Sequence, residues 1–370
     1  MALTLKTSWR LPLNLEYPLA FVLATVFIFL LGGQRVLGNM SSPWWLLVTF
    51  VWLFWIILWS SFCVVRHAEV LATKLGEPYG TLILTISMVA IEASTIAMVM
   101  LHGANNPTLA SETMFAVIMI IMNGMVGLSL LVGGLRHREQ QYNLQGANAY
   151  LSVIVALCVL GLILPNAMTA KQALSMSHHT FQVLMSLALY VIFLFIQTAR
   201  HRNYFILAEG GDQYTSKRVE AYGPSSYHAG MLLAYLIPVV LLAKKLAIPI
   251  DYPIETLGAP QALGGLIVAC LVCTPEAISA VRAAYKNKLQ RAVNISLGSV
   301  LASICLTIPV ILVVGLLAHR NVYLGLHGTA VVLLLLTLVV SIITFTSAKT
   351  NILQGSVHLL LFAAYLFFAL

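Results

Sequence analysis

Apolar runs of about 20 residues, the length that crosses the hydrocarbon of a bilayer, fill almost all of this 370-residue chain. They read as eleven spans, near 15–34, 43–65, 77–101, 112–134, 147–168, 178–198, 228–247, 258–281, 291–316, 327–347 and 351–370. Soluble domains carry about 25% charged residues; this chain carries 9%, with 60% hydrophobic residues. The fold class is therefore an all-α polytopic membrane protein, with the lipid bilayer as its solvent. The basic, short N-terminal segment leads into a long apolar run without a small-residue cleavage site, so it reads as an uncleaved first span.

A net charge of +8 invites a nucleic-acid reading, but loop asymmetry explains it better. With a cytoplasmic N-terminus, the inside segments hold Lys6, Arg10, Arg66, Lys74, Arg136, Arg138, Arg200, Arg202, Lys217, Arg218, Arg282, Lys286, Lys288, Arg291 and Lys349. Only Arg35, Lys171, Lys244, Lys245 and Arg320 fall outside. This bias is the positive-inside pattern; it puts the C-terminus on the outer face and predicts no nucleic-acid partner.

Two acids break the apolar pattern. Gly80-TLILTISMVAI-Glu92-Ala93 and Gly264-GLIVACLVCTP-Glu276-Ala277 share Gly, Leu, Ile, Glu and Ala in register. A carboxylate inside a membrane helix costs about 2.5–3.5 kcal/mol on insertion scales. A chain that incurs this at matching places of a duplicated segment is expected to use both groups, as one site built from two halves.

The duplication extends further. Asn123-x-x-x-Gly127 and Asn294-x-x-x-Gly298 follow in the next span of each half, with Ser129 and Ser299 behind them, and Asn143-Leu-Gln145-Gly146 echoes Asn351-Ile-Leu-Gln354-Gly355. The organisation is a tail and extra span (1–37), a first five-helix repeat (38–198), a polar cytoplasmic linker (199–227) and a second repeat (228–370). An odd number of spans per repeat inverts the second copy, an architecture common in transporters, whose substrate site lies near the midplane between the halves.

On a helix, Thr81, Thr85, Glu92 and Thr95 share one face, which suggests a polar lining, although a membrane threonine often returns its hydroxyl to its own i−4 carbonyl. Pro275, just before Glu276, frees a carbonyl near Leu271; that carbonyl either lines the site as an oxygen ligand or merely marks a packing kink. Asn123, Asn294 and Ser299 either line the site or make interhelical hydrogen bonds, and Ser303 reads as such a bond. Glu77 complements a helix start or serves cytoplasmic access. His67, His178, His179 and His358 read as interfacial, and Cys63, Cys158, Cys270, Cys273 and Cys305 as packing residues without disulfides or a metal site.

A membrane enzyme would need a nucleophile with its base, or a histidine-rich metal cluster; neither pattern occurs. A channel would need an oligomeric ring or a carbonyl filter. Alternating access accommodates two dissimilar acids better, and no cofactor is expected beyond the transported ions.

The segments GEPYGTLILTISMVAIEAS, TPEAISAVRAAYKNKLQRAVNISLGSVLASICLTIP and AKTNILQGSVHLLLFAAYL resemble the cation/proton exchangers of the calcium/cation antiporter superfamily, most closely the bacterial ChaA type. The resemblance implies a bacterial inner-membrane antiporter that moves Ca²⁺, and also Na⁺ or K⁺, against H⁺. It implies that Glu92 and Glu276 match the cation-binding acids of the superfamily's Gly-Asn-Ala-x-Glu signature. Met88-Val89 and Val272-Cys273 replace its Gly-Asn. Two desolvated carboxylates repel each other and disfavour their charged forms, so protons are expected to fill the site when the cation leaves. A sodium/calcium exchanger is the alternative.

Overall fold

The computed structural model describes residues 16–76, 79–102, 108–205 and 223–369. Nine helices in them are long and apolar enough to cross a membrane, and two shorter apolar helices complete the set. In chain order these are α1 (Tyr17–Leu31), α2 (Pro43–Leu75), α3 (Tyr79–His102), α4 (Leu109–His137), α5 (Leu144–Ala167), α6 (Met176–Arg200), α7 (Ser225–Leu257), α8 (Ala262–Tyr285), α9 (Leu289–Leu317), α10 (Thr329–Thr344) and α11 (Ile352–Ala369). The linker predicted at 199–227 lies largely outside the described residues, as does Glu77.

The duplication is visible in helix lengths. Helices α2 and α7 both have 33 residues, α3 and α8 both 24, and α4 and α9 both 29. Asn143 and Asn351 play matching roles: each side chain caps the helix that follows, Asn143 Oδ1 accepting from Gln145 N at 3.0 Å and Asn351 Oδ1 from Leu353 N at 3.0 Å. Such caps satisfy backbone donors that have no partner in the first turn. Each is preceded by a two-residue strand, β1 (Gln140–Gln141) and β2 (Lys349–Thr350), and the two strands pair antiparallel with Gln140 opposite Thr350.

This pairing fixes the inversion. At the same end, His137 lies 3.0 Å from the Tyr285 carbonyl, Gln140 Nε2 donates to Ala284 O at 2.8 Å, and the Asn143 amide donates to Gln290 Oε1 at 2.5 Å. The ends of α4, α8 and α10 thus meet the starts of α5, α9 and α11. Helix α4 returns to this end after α3 has left it, whereas α8 runs towards it. The two glutamate helices therefore enter from opposite sides.

Helix α2 extends beyond the expected 43–65 and α7 beyond 228–247. The extra turns are retained because their inner faces stay packed: Ala68 and Leu71 on α2, and Pro249 and Ile250 on α7, are buried. Of the four histidines expected at the interface, His67, His178 and His358 prove to be buried, two of them with polar partners in the interior. His67 is 2% exposed and His358 0%, because the polar atoms of each find side-chain partners inside the bundle.

The most buried span is α4, 83% of whose window is enclosed, against 22% for α6 and α11. It crosses α11 where glycines meet: a Cβ on Gly355 would stand 2.6 Å from the Leu131 amide and 2.9 Å from the Gly127 carbonyl. Gly355→Ala is expected to destabilise by about 1–3 kcal/mol through overpacking, read as a lower melting temperature in detergent. Gly230→Ala on α7, where nothing lies within 4 Å, should be neutral or stabilise by about 0.5–1 kcal/mol.

Candidate functional site

Among the described residues, four spans contain a π-helical turn, and one of these shapes the site. In α9 the turn covers Ser303–Thr307, immediately before Ile308-Pro309. Pro309 has no amide hydrogen and crowds the carbonyl four residues back, Cys305, so the helix widens there. Such π turns recur at functional positions in helices. Helix α8, by contrast, continues as an α-helix through Pro275, with Thr274 returning its hydroxyl to the Cys270 carbonyl at 2.5 Å.

Helices α3, α8 and α9 enclose a small cavity of about 30 Å³ lined by Glu92, Glu276, Ser299, Ser303, Thr85 and Cys273, with Met88, Val89, Val272 and Ala302 as its apolar wall. That volume holds a water or two, or an ion stripped of most of its shell. Ser303 Oγ donates to Glu92 Oε2 at 2.6 Å, and Ser299 Oγ donates to Glu276 Oε2. The serines are four residues apart, hence on one face of α9 and about 6 Å apart along its axis. One helix therefore supplies the donor for each acid, while the acids arrive on antiparallel helices.

Glu92 is 3% exposed and its Oε1 is buried without a hydrogen-bond partner. Thr307 lies near the same carboxylate without completing a hydrogen bond. An orphaned buried oxygen costs roughly 1–3 kcal/mol, more on a charged group, and a cation or a proton removes that cost. Glu276 is half-buried. No Lys, Arg or His is among the lining residues. Two carboxylates with hydroxyl oxygens suit a hard cation.

The other candidates separate. Thr85 lines the cavity and lies near the Tyr190 hydroxyl of α6. Thr95 returns its hydroxyl to its own i−4 carbonyl, Ile91 O, at 2.7 Å, and the Thr81 side chain lies outside the described residues. The Leu271 side chain is buried, and Leu271 is not among the lining residues.

Asn123 and Asn294 are not brought to the acids either. Asn123 is fully buried, its Nδ2 donating to Thr337 Oγ1 at 2.8 Å and its Oδ1 facing His358 Nδ1 at 3.1 Å. Asn294 Nδ2 donates to Phe205 O at 2.7 Å, and its Oδ1 accepts from Gln290 at 2.8 Å. The reason is register: Asn123 is the fifteenth residue of α4 (Leu109–His137), whereas Asn294 is only the sixth of α9 (Leu289–Leu317). Counted from the helix start, Asn123 therefore corresponds to Ser303, not to Asn294. Ser303 does make an interhelical hydrogen bond, but its partner is the site carboxylate. The Ser299-x-x-x-Ser303 spacing was the available signal.

The sodium/calcium exchanger protein family matches residues 45–199 and 227–370, most of the chain. The chain belongs to this family. Among relatives of this exchanger, the sodium-potassium/proton antiporter ChaA of Escherichia coli is 37% identical over 350 residues, covering 93% of each chain. The putative ionic transporter y4hA of Sinorhizobium fredii is 42% identical over 308 residues, 82% of this chain and 84% of that one. The fold is shared with native YfkE (TM-score 0.69, 21% identity, 94% of this chain and 97% of that one). It is also shared with the H⁺/Ca²⁺ exchanger CAX (TM-score 0.68, 13% identity, 95% of this chain and 88% of that one).

Ser303→Ala should weaken cation binding about tenfold or more, since hydrogen bonds to charged groups contribute about 1.5–3 kcal/mol. Asn123→Ala should lower the melting temperature and leave cation binding unchanged. Calorimetric titration with Ca²⁺ separates the two outcomes.

Proposed function

We propose that this exchanger is a secondary antiporter that exports Ca²⁺, with Na⁺ and K⁺ as further cations, in exchange for H⁺. Glu92 and Glu276 form its shared site, holding either a cation or protons. The observation that carries this reading is the cavity in which both acids meet, each with one serine donor and with an oxygen of Glu92 left for an ion. The printed activities of the relatives, sodium-potassium/proton and calcium/proton antiport, support the choice of ions.

A divalent cation neutralises both carboxylates at once, so exchange of one Ca²⁺ for two protons balances charge inside the site. The empty, doubly ionised site is the costly state, because burial and mutual repulsion both oppose it. That penalty couples the two fluxes: the protein reorients when loaded with either partner, and not when empty. Sitting on inverted helices, the acids are reached from alternate sides in the manner of inverted-repeat transporters. The protein resides in the bacterial inner membrane, with the basic end of the bundle cytoplasmic and the C-terminus periplasmic.

In everted vesicles carrying a proton gradient reported by a pH-sensitive dye, adding Ca²⁺, Na⁺ or K⁺ should restore fluorescence. Glu92→Gln and Glu276→Gln should each abolish this response with the protein still folded in the membrane. Retention of wild-type exchange by either variant rejects the site, and sodium-driven calcium uptake without proton flux rejects the coupling ion.

A further inference from the structure

Away from the glutamates, at the end of the bundle where the basic segments gather, two buried imidazoles meet. His67 of α2 and His228 of α7 are 2% and 6% exposed, and their Nδ1 atoms are 2.8 Å apart. At that distance one ring nitrogen donates and the other accepts. A neighbouring arginine decides which. Arg66 Nη2 lies 3.2 Å from His67 Nε2, and a guanidinium only donates. With His67 Nε2 assigned as the acceptor from Arg66, its proton sits on Nδ1, and His228 Nδ1 accepts that proton's hydrogen bond.

Glu16, at the start of α1, completes the cluster. It accepts from Arg66 at 2.9 and 3.0 Å and from the Tyr235 hydroxyl at 2.7 Å, with the Tyr227 hydroxyl at 3.4 Å. Its Oε1 is also 3.4 Å from His67 Nε2. One turn before His67, Cys63 adjoins the Tyr235 hydroxyl. Further out at the same end, Lys74 donates to the Gly223 carbonyl, and Glu69 stands 3.9 Å from Arg291 of α9. The described side chains of α3, which packs on both α2 and α7, add no titratable group here, since Glu92 is the only one among them.

The arrangement suits two neutral rings. A proton added to His228 Nδ1 turns the acceptor into a second donor and sets two N–H groups against each other. A proton added to His67 Nε2 displaces Arg66. We infer that the His67–His228 pair is a proton-binding regulatory site, distinct from the transport carboxylates: neutral, it ties the end of α2 to the start of α7, and protonation from that side of the membrane releases the two helices. Histidine is the side chain whose ordinary titration falls within the physiological range. Both helices flank α3, so release alters the packing of the helix that carries Glu92.

Cys63 is a native reporter of this junction. The test labels the full-length protein with 4,4′-dithiodipyridine and follows Cys63 against Cys158, a buried cysteine of α5, by mass spectrometry at about pH 8 and about pH 5.5, either side of the usual histidine range. In the wild type the Cys63-to-Cys158 labelling ratio should rise several-fold on acidification. His228→Asn, whose amide oxygen replaces the accepting Nδ1 but cannot take up the proton, should hold that ratio flat. A wild-type ratio that does not change with pH overturns the proposal, as does an equal rise in the variant. The readout needs no transport, so its failure leaves the antiport reading standing, and a lack of exchange in vesicles leaves the clamp standing.

Discussion

Burying a carboxylate among apolar helices is the costliest act in this fold, and the way it is compensated organises the centre of the molecule. Glu92 and Glu276 each receive one serine hydroxyl from a single face of α9. Neither has a basic partner among the residues lining the cavity. A lysine or arginine there would have satisfied the charge permanently and removed any need for an ion. Hydroxyl donors offset only part of the cost. In the function proposed above, the remainder is the drive to bind a cation or protons.

The scaffold serves that arrangement. Antiparallel placement of α3 and α8 lets one carboxylate approach from each side, and the enclosed α4 braces α8 where a Cβ on Gly265 would stand 2.9 Å from the Thr113 amide. The π turn before Pro309 sets the face of α9 on which Ser303 reaches Glu92. At the basic end, paired strands, asparagine caps and the histidine cluster lock the helix termini together. The molecule thus combines fixed crossings at glycines with polar junctions whose hydrogen bonds can change partners.

Much of this was legible in the chain. Apolar run lengths give the spans, lysine and arginine asymmetry gives the predicted orientation, and two glutamates in matching frames mark the place where the halves meet. The errors came from reading side-chain direction out of linear spacing. Asn123 and Asn294 share a local motif, yet they stand at different heights on α4 and α9, and Asn123 turns into a buried network with Thr337 and His358. His67 and His358 looked interfacial because hydropathy falls near them, while packing of the extended α2 and of α11 against α4 encloses both. Thr95 followed its own backbone. Those outcomes depend on helix rotation and neighbours, which periodicity alone does not supply.

The central claim is that cation and protons occupy the same two carboxylates in turn. The most direct measurement adds Ca²⁺ to the purified protein in weakly buffered detergent solution near neutral pH and counts the protons released per ion bound. If both acids are protonated in the empty site, as burial and mutual repulsion favour, about two protons should leave per calcium ion. The Glu92→Gln/Glu276→Gln double variant should bind no calcium and release none. Calcium binding without proton release, or equal binding by the double variant, would contradict the account.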